Sequence, residues 1–403
     1  MRSSVLVGLA AGLCALICAC ATGCKQTGTP GLEPPAPLDG GALASGDRPP
    51  GQMSGNDGFG NPVMAGGTTG AGRSGSGGSG DVGERPPVTG ADAGPGQGEE
   101  RDGGEDGGLP PDEPVLPPEP IGCITEPGSG LRRIECDGIT HDLTVPERCL
   151  QARCGLIIDV HGGTMSSRME EKNTDMQRLG AEHGYAVLQP SAPGNLWTAE
   201  SDDAKVFAFA NDALRAFHLD PARIHMMGFS QGGYMSWRFV CRHSAWLASA
   251  APAAAAGDAN ISPEIGCEFA AGDAPQEPLP LLYMHGRLDG MVEFDNALVL
   301  RDVVRASYGT GEGEVVAQGV GFTRTRYSDP RGVVLEFIEH DYSSPSTVGL
   351  PPLGVAIMGH CYPGSEDWTP SEPDQLMAFG CEAPTAFHWG EEAIRFFMAH
   401  PKR

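Results

Sequence analysis

Basic residues are scarce in this chain of 403 residues: 27 Lys and Arg stand against 52 Asp and Glu, a formal charge of −25. No block of Lys or Arg relieves the imbalance, so the surface repels phosphate backbones and anionic headgroups, and nucleic acid is not an expected partner. There is no CxxC pair and no HExxH helix, the spacings by which chains commonly hold zinc, so no metal is expected. No internal repeat of the kind that builds a solenoid or propeller is present. The apolar run Val5–Ala19 falls short of the ~20 residues of a comfortable membrane span.

That run follows Arg2 and is rich in Ala, Leu and Gly, so it reads as a secretory signal. Ala21, Thr22 and Gly23 then lead into Cys24 and resemble the lipobox of bacterial lipoproteins. The resemblance implies lipidation of Cys24, with Cys20 a poorer competitor and ordinary cleavage and release the alternative. Membrane contact is expected only through such an anchor. Export places the remaining cysteines in an oxidising compartment, where an even number suggests disulfides. Proximity along the chain favours Cys123–Cys136, Cys149–Cys154, Cys241–Cys267 and Cys361–Cys381.

Three regions follow: a signal over 1–24, a linker over 25–120 and a globular domain over 121–403. The linker is dominated by Gly, Pro, Ser, Asp and Glu, and its apolar content cannot offset an ordering cost of ~1–2 kcal/mol per residue. In the globular region short apolar runs alternate with segments of helical spacing. Strands are expected at Leu156–Val160, Ala186–Gln189, Arg223–Met227, Leu279–His285 and Val333–His340. Helices are expected at Asp175–His183, from a cap at Ser201 or Asp202 to Phe217, at Gly233–Arg242 and near Phe387–Ala399. Such alternation implies an α/β fold with a mostly parallel sheet covered on both faces.

The sharpest motif is Gly228-Phe229-Ser230-Gln231-Gly232-Gly233, a GxSxG match between an expected strand and an expected helix. That context suits a nucleophile elbow, whose tight turn lifts the Ser230 hydroxyl above the sheet. A structural Gly-rich turn is the alternative. A serine hydroxyl is a weak nucleophile, so it needs a histidine base and a carboxylate that orients the base. On such elbows the acid and then the histidine follow the serine along the chain. Asp289, just past the apolar run Leu279–Met284, fits the acid, with Glu293 and Asp295 as nearby loop charges and His285 as a support for the turn. His360, in a turn-rich loop, is favoured as base over His388 on the last helix and His340 at a strand end. Upstream, Val160-His161-Gly162-Gly163-Thr164 follows a strand, and an oxyanion needs pre-aimed backbone N–H donors. Gln231 supplies one, and Gly163 or Thr164 the other.

With these residues assembled, the domain from about Leu156 onward resembles the exported polyhydroxybutyrate-depolymerase and feruloyl-esterase-like branch of the α/β-hydrolases. The resemblance rests on VHGG at Val160–Gly163, Asn195-Leu196-Trp197, Asp220-Pro221 leading into GFSQGG, His285–Val292, and GHCYPG at Gly359–Gly364. It implies an α/β-hydrolase fold, with Ser230, Asp289 and His360 at the nucleophile, acid and histidine positions. The His360-Cys361 pair resembles that of tannase-like esterases, but those carry Cys before the serine, where Phe229 stands here, so that family is a poorer match. Trp197 is either a substrate-stacking aromatic or a core residue, and Tyr362 and Trp368 are candidates to line the cleft. The expected activity is hydrolysis of acyl esters, carried on polysaccharide or of the hydroxyalkanoate type, without any cofactor. A catalytically silent polysaccharide- or protein-binding surface lipoprotein is the alternative from another class.

Overall fold

The computed structural model describes residues 116–256, 275, 277–348, 354–367 and 378–402. The expected signal, Cys24 with its expected lipidation, and the linker up to residue 115 lie outside these residues, as do Cys267 and Trp368. An antiparallel hairpin comes first, β1 (Gly130–Cys136) and β2 (Ile139–Val145). Its turn, Asp137-Gly138, has φ of 52° and 80°, the left-handed pair that short hairpins favour. Then follow β3 (Gly155–Val160), α1 (Ser167–Thr174), α2 (Met176–His183), β4 (Tyr185–Ser191), α3 (Ser201–Ala216), β5 (Ile224–Phe229) and α4 (Gln231–His243). The remainder comprises β6 (Ser249–Ala253), β7 (Leu281–Gly286), α5 (Phe294–Tyr308), β8 (Glu314–Gly319), β9 (Phe322–Ser328), β10 (Val334–His340), β11 (Ser344–Val348), β12 (Val355–Met358) and α6 (Trp389–Ala399).

Among the described residues, ten strands form one sheet in the order β1-β2-β4-β3-β5-β6-β7-β10-β9-β8. The block from β4 to β10 is parallel throughout, and antiparallel pairs flank it on both sides. A parallel block in this order, with a serine elbow after β5, is the α/β-hydrolase fold. From β3 the chain steps outward to β4 and returns to the other side of β3 as β5, so the winding reverses between β3 and β5. Open α/β sheets gather ligands beyond the carboxyl ends of strands at such a reversal. The register Val160↔Gly228 brings the HGG loop and the serine elbow side by side there.

Alternation along the strands divides the core between two faces. Leu156, Ile158, Val160, Ile224, Met226, Leu281 and Tyr283 pack under α3, α4 and α5, through Phe209, Met235, Trp237 and Leu300 among others. Ile157, Met227, Phe229, Leu282 and Met284 pack on the other face under α1, α2 and α6, through Met169, Leu179, Trp389 and Phe397. The central strands are buried on both faces, which is why their sequence reads as continuous apolar runs rather than alternation.

The expected strands and helices appear as β3, β4, β5, β7, β10, α2, α3, α4 and α6, with ends moved by at most two residues. One cap is corrected. The N-cap of α3 is Glu200, not Ser201 or Asp202, and Glu200 and Asp203 exchange side chain-to-backbone bonds in a capping box. Three of the expected disulfides are present, Cys123–Cys136, Cys149–Cys154 and Cys361–Cys381. Cys241 is disulfide-bonded as well.

Candidate active site

Ser230 sits between β5 and α4 with φ 53° and ψ −117°, a conformation that costs a non-glycine residue about 1–3 kcal/mol and persists where the surroundings enforce it. The enforcement is visible. The Ser230 amide donates to the Ala253 carbonyl at 3.0 Å, and the Tyr234 amide donates to the Ser230 carbonyl at 2.9 Å. The neighbouring glycines serve close approach rather than unusual φ. A β-carbon on Gly232 would lie 1.9 Å from the Val160 carbonyl oxygen, and one on Gly228 would lie 2.5 Å from that of Gly232. Gly232→Ala is therefore expected to cost at least about 3 kcal/mol of stability. Urea unfolding measures this, and an unchanged midpoint would show that helix and strand separate freely. Farther along α4, a buried Arg238–Asp203 pair, at 2.5 and 2.8 Å, fastens the helix to α3.

Asp289 lies in the loop after β7. Its Oδ1 accepts the amides of Met291 at 2.8 Å and Val292 at 2.7 Å, and its Oδ2 lies 2.8 Å from His360 Nδ1. Burial alone would raise this carboxyl, but His360, His285 and the Val292 amide outweigh it and hold Asp289 below the ordinary carboxylate range. An ionised carboxylate is acceptor-only, so His360 carries its proton on Nδ1 and keeps a lone pair on Nε2. His285 is fully buried, with Nε2 2.9 Å from the Val292 carbonyl and 3.4 Å from Asp289 Oδ2. Burial first, and the nearby imidazole of His360, lower its proton affinity.

The loop bearing His360 is stitched to the loop bearing Asp289. Gly359 donates to the Leu288 carbonyl at 2.9 Å, Gly290 donates to that of Ile357 at 3.2 Å, and Asp289 bridges Met358. A β-carbon on Gly359 would meet the Asp289 nitrogen at 2.7 Å, so glycine is required for this approach. The His360 ring lies 4.7 Å from the ring of Phe229, the residue before Ser230. The other candidate histidines are placed elsewhere. His388 caps α6 by accepting the Glu391 amide. His340 is buried at the end of β10, where burial first, then His285, push it to about 3. Glu293 is the N-cap residue of α5, and Asp295 lies in its first turn.

The HGG loop packs against the elbow: a β-carbon on Gly162 would stand 3.2 Å from that of Ser230, and one on Gly163 would stand 3.0 Å from the Gln231 side chain. His161, whose place in the motif does not by itself signal a role, orders this loop. Ala192 donates its amide to His161 Nε2 at 3.0 Å, so the ring proton is on Nδ1 and points to the Gly162 carbonyl at 2.6 Å. Burial holds this imidazole at about 4. The Gly162 carbonyl and the Gly163 N–H belong to one planar peptide, so fixing the first aims the second.

Two expectations about this region are corrected. Thr164 is not a free donor, because its amide is committed to the Asn195 carbonyl at 2.7 Å. Tyr362 cannot line a cleft, because it is fully buried, stacks on Phe229 at 4.0 Å and donates its hydroxyl to Glu170 at 2.5 Å. Trp197 is 8% exposed and belongs to the core reading. Its indole N–H donates to the His161 carbonyl at 2.9 Å, and its amide donates to Gln231 Oε1 at 3.1 Å, tying the HGG loop to the elbow. Among the described residues no group of three or more His, Cys, Asp or Glu could hold a metal ion.

No protein-family model matches the chain. Over 143 residues it is 22% identical to a bifunctional acetylxylan esterase/xylanase of Neocallimastix patriciarum, a match covering 34% of this chain and 20% of that protein. Over 151 residues it is 27% identical to NocK of Nocardia uniformis subsp. tsuyamanensis, whose name designates it an esterase, covering 35% of this chain and 41% of the other. The chain thus spans less than half the length of these curated relatives. Similar solved structures include an acetyl xylan esterase from Aspergillus awamori, at 13% identity, TM-score 0.44, and coverage of 52% of this chain and 93% of the other. Est1E from Butyrivibrio proteoclasticus is another, at 19% identity, TM-score 0.34, and coverage of 43% and 85%.

Proposed function

We propose that the protein is a serine carboxylesterase working through an acyl-enzyme. The observation that carries this reading is the 2.8 Å contact of Asp289 with His360 Nδ1, on a ring packed against the residue preceding Ser230. Ser230 Oγ attacks the ester carbonyl carbon while its proton passes to His360 Nε2. The new oxyanion is met by the N–H groups of Gly163 and Gln231. Collapse breaks the acyl C–O bond, and the alcohol leaves with the proton from His360. Water, giving a proton to the same nitrogen, then attacks the acyl group and releases the acid and Ser230. No step needs a cofactor.

For the substrate class we favour small acyl groups carried on polysaccharide, acetyl or feruloyl, with hydroxyalkanoate esters second. The name of the Neocallimastix patriciarum relative speaks for acetylxylan, though the matched segment is a fifth of that protein and its activities are two. Export fits the disulfides, which persist in oxidising compartments, and attachment through a lipidated Cys24 belongs to the same proposal. A fluorophosphonate reagent tests the nucleophile. Mass spectrometry of the digested adduct is expected to place it on Ser230; a modified residue elsewhere, or none, removes the assignment.

A further inference from the structure

Behind the histidine loop lies a set of buried groups that the esterase reading does not use. Asp159 on β3 and Glu170 on α1 are both fully buried. Asp159 Oδ2 accepts from Thr174 Oγ1 at 2.7 Å and Gln189 Nε2 at 2.9 Å. Glu170 Oε2 accepts from the Tyr362 hydroxyl at 2.5 Å. Each carboxyl then has one oxygen left, Asp159 Oδ1 and Glu170 Oε1, and neither has a partner among ordinary donors. Unpaired buried oxygens are costly. A single proton held between the two carboxyls would satisfy both, since a protonated carboxyl donates where an ionised one only accepts.

We propose that Glu170 is a positioning residue for the catalytic base: it donates one shared proton to Asp159 and, through Tyr362, fixes the loop that carries His360. The proposal rests on the role given to His360 above. Tyr362 follows His360 by two residues, and its ring stacks on Phe229 beside the nucleophile. A second set of contacts docks the same loop on α1: Lys172 and Asn173 donate to Asp367 at 2.8 and 3.3 Å, and Ser365 donates to Asn173 at 2.7 Å. The Tyr362–Glu170 hydrogen bond is thus one of the fastenings between α1 and the histidine loop, and it lies closer in sequence to the imidazole than the Asp367 set.

Burial first, and then the Asp159 charge, hold Glu170 well above the usual glutamate range. The surroundings offer little to offset this. On α1, Glu171 is raised to about 7, chiefly by burial, Lys172 is paired with Asp367, and Arg168 is exposed. Asp142 of β2, which accepts from Ser167, is paired with Arg133. Glu391 and Glu392 of α6 pair with Arg395 at the surface, and Asp175 after α1 pairs with Arg178. The folded state therefore holds a proton that the unfolded chain releases in the ordinary glutamate range. The stabilisation is complete below that range and is lost as pH rises through the folded value. Beyond it two buried carboxylates face each other, and the histidine loop loses its seat.

The test compares wild type with Glu170→Gln, Glu170→Ala, Tyr362→Phe and Glu171→Gln, reading kcat, KM and Tm against pH with p-nitrophenyl acetate. Glutamine keeps a donor for Asp159 and an acceptor for Tyr362. Glu170→Gln is thus expected to hold wild-type kcat near neutrality and to lose the alkaline fall in both kcat and Tm. Glu170→Ala and Tyr362→Phe are expected to lower kcat by about ten- to a hundredfold with KM changed less than about threefold, as misplacement of a catalytic group does. Glu171→Gln removes only titration near neutrality. In infrared spectra at mildly alkaline pH, a protonated carboxyl band is expected in wild type and absent in Glu170→Gln. An alkaline limb that survives in Glu170→Gln, or wild-type kcat in Tyr362→Phe, overturns the proposal. If hydrolysis proves independent of Ser230, the esterase reading fails instead, while the Tm and infrared results still decide the shared proton.

Discussion

Replacing Ser230 by alanine is expected to lower kcat for p-nitrophenyl acetate by about 10⁴- to 10⁶-fold, the range in which nucleophile deletions in serine hydrolases fall. The fold is expected to tolerate the change. The elbow is held through the Ser230 amide and carbonyl, which alanine keeps, and by glycines that let β3, β5 and α4 meet. Stability should change by less than about 1 kcal/mol, so Tm and kcat separate cleanly. Equal residual rates in wild type and Ser230→Ala would end the esterase assignment.

Asp289→Asn carries the second large effect, a loss of about 10⁴-fold in kcat. The carboxylate accepts at every one of its contacts: two amides on Oδ1, and on Oδ2 the imidazole of His360. Asparagine can leave its carbonyl with the two amides, which turns its NH₂ toward His360 Nδ1. That nitrogen must then accept, the ring proton moves to Nε2, and no lone pair faces the serine. The same NH₂ also meets the Nε2 of His285, 3.4 Å from Oδ2, whose proton points to the Val292 carbonyl. Rates measured with saturating ester decide the matter; a loss smaller than about tenfold would move the orienting role to another carboxylate, with Glu293 next to be tested.

The parts of this molecule that could be read in advance are those whose signals are local. Apolar runs marked β3, β5 and β7 because those strands are buried on both faces. GxSxG was meaningful because its glycines lie where backbones nearly touch. Edge elements were missed. The strands β1, β8 and β9 have half-exposed faces and polar sequences that look like loop, and β6, Ser-Ala-Ala-Pro-Ala, has side chains too small to announce a strand. Tyr362 reads as exposed from its turn-rich loop, whereas the partner that buries it, Glu170, lies 192 residues earlier. Nothing in the sequence around Thr164 signals that the Asn195 carbonyl takes its amide. A buried carboxyl pair drawn from β3 and α1 has no signature in the chain, since each member alone resembles a surface acid.

The bridge Cys361–Cys381 begins one residue after His360. Around it the Tyr362 amide donates to the Phe379 carbonyl and that of Cys381 to the Tyr362 carbonyl, at 2.8 and 2.9 Å. A reduced chain would keep the hydrogen bonds that seat this strap on the Asp289 loop and on α1. It would lose a covalent closure that restricts the unfolded chain, so reduction is expected to lower stability more than it disturbs the folded site.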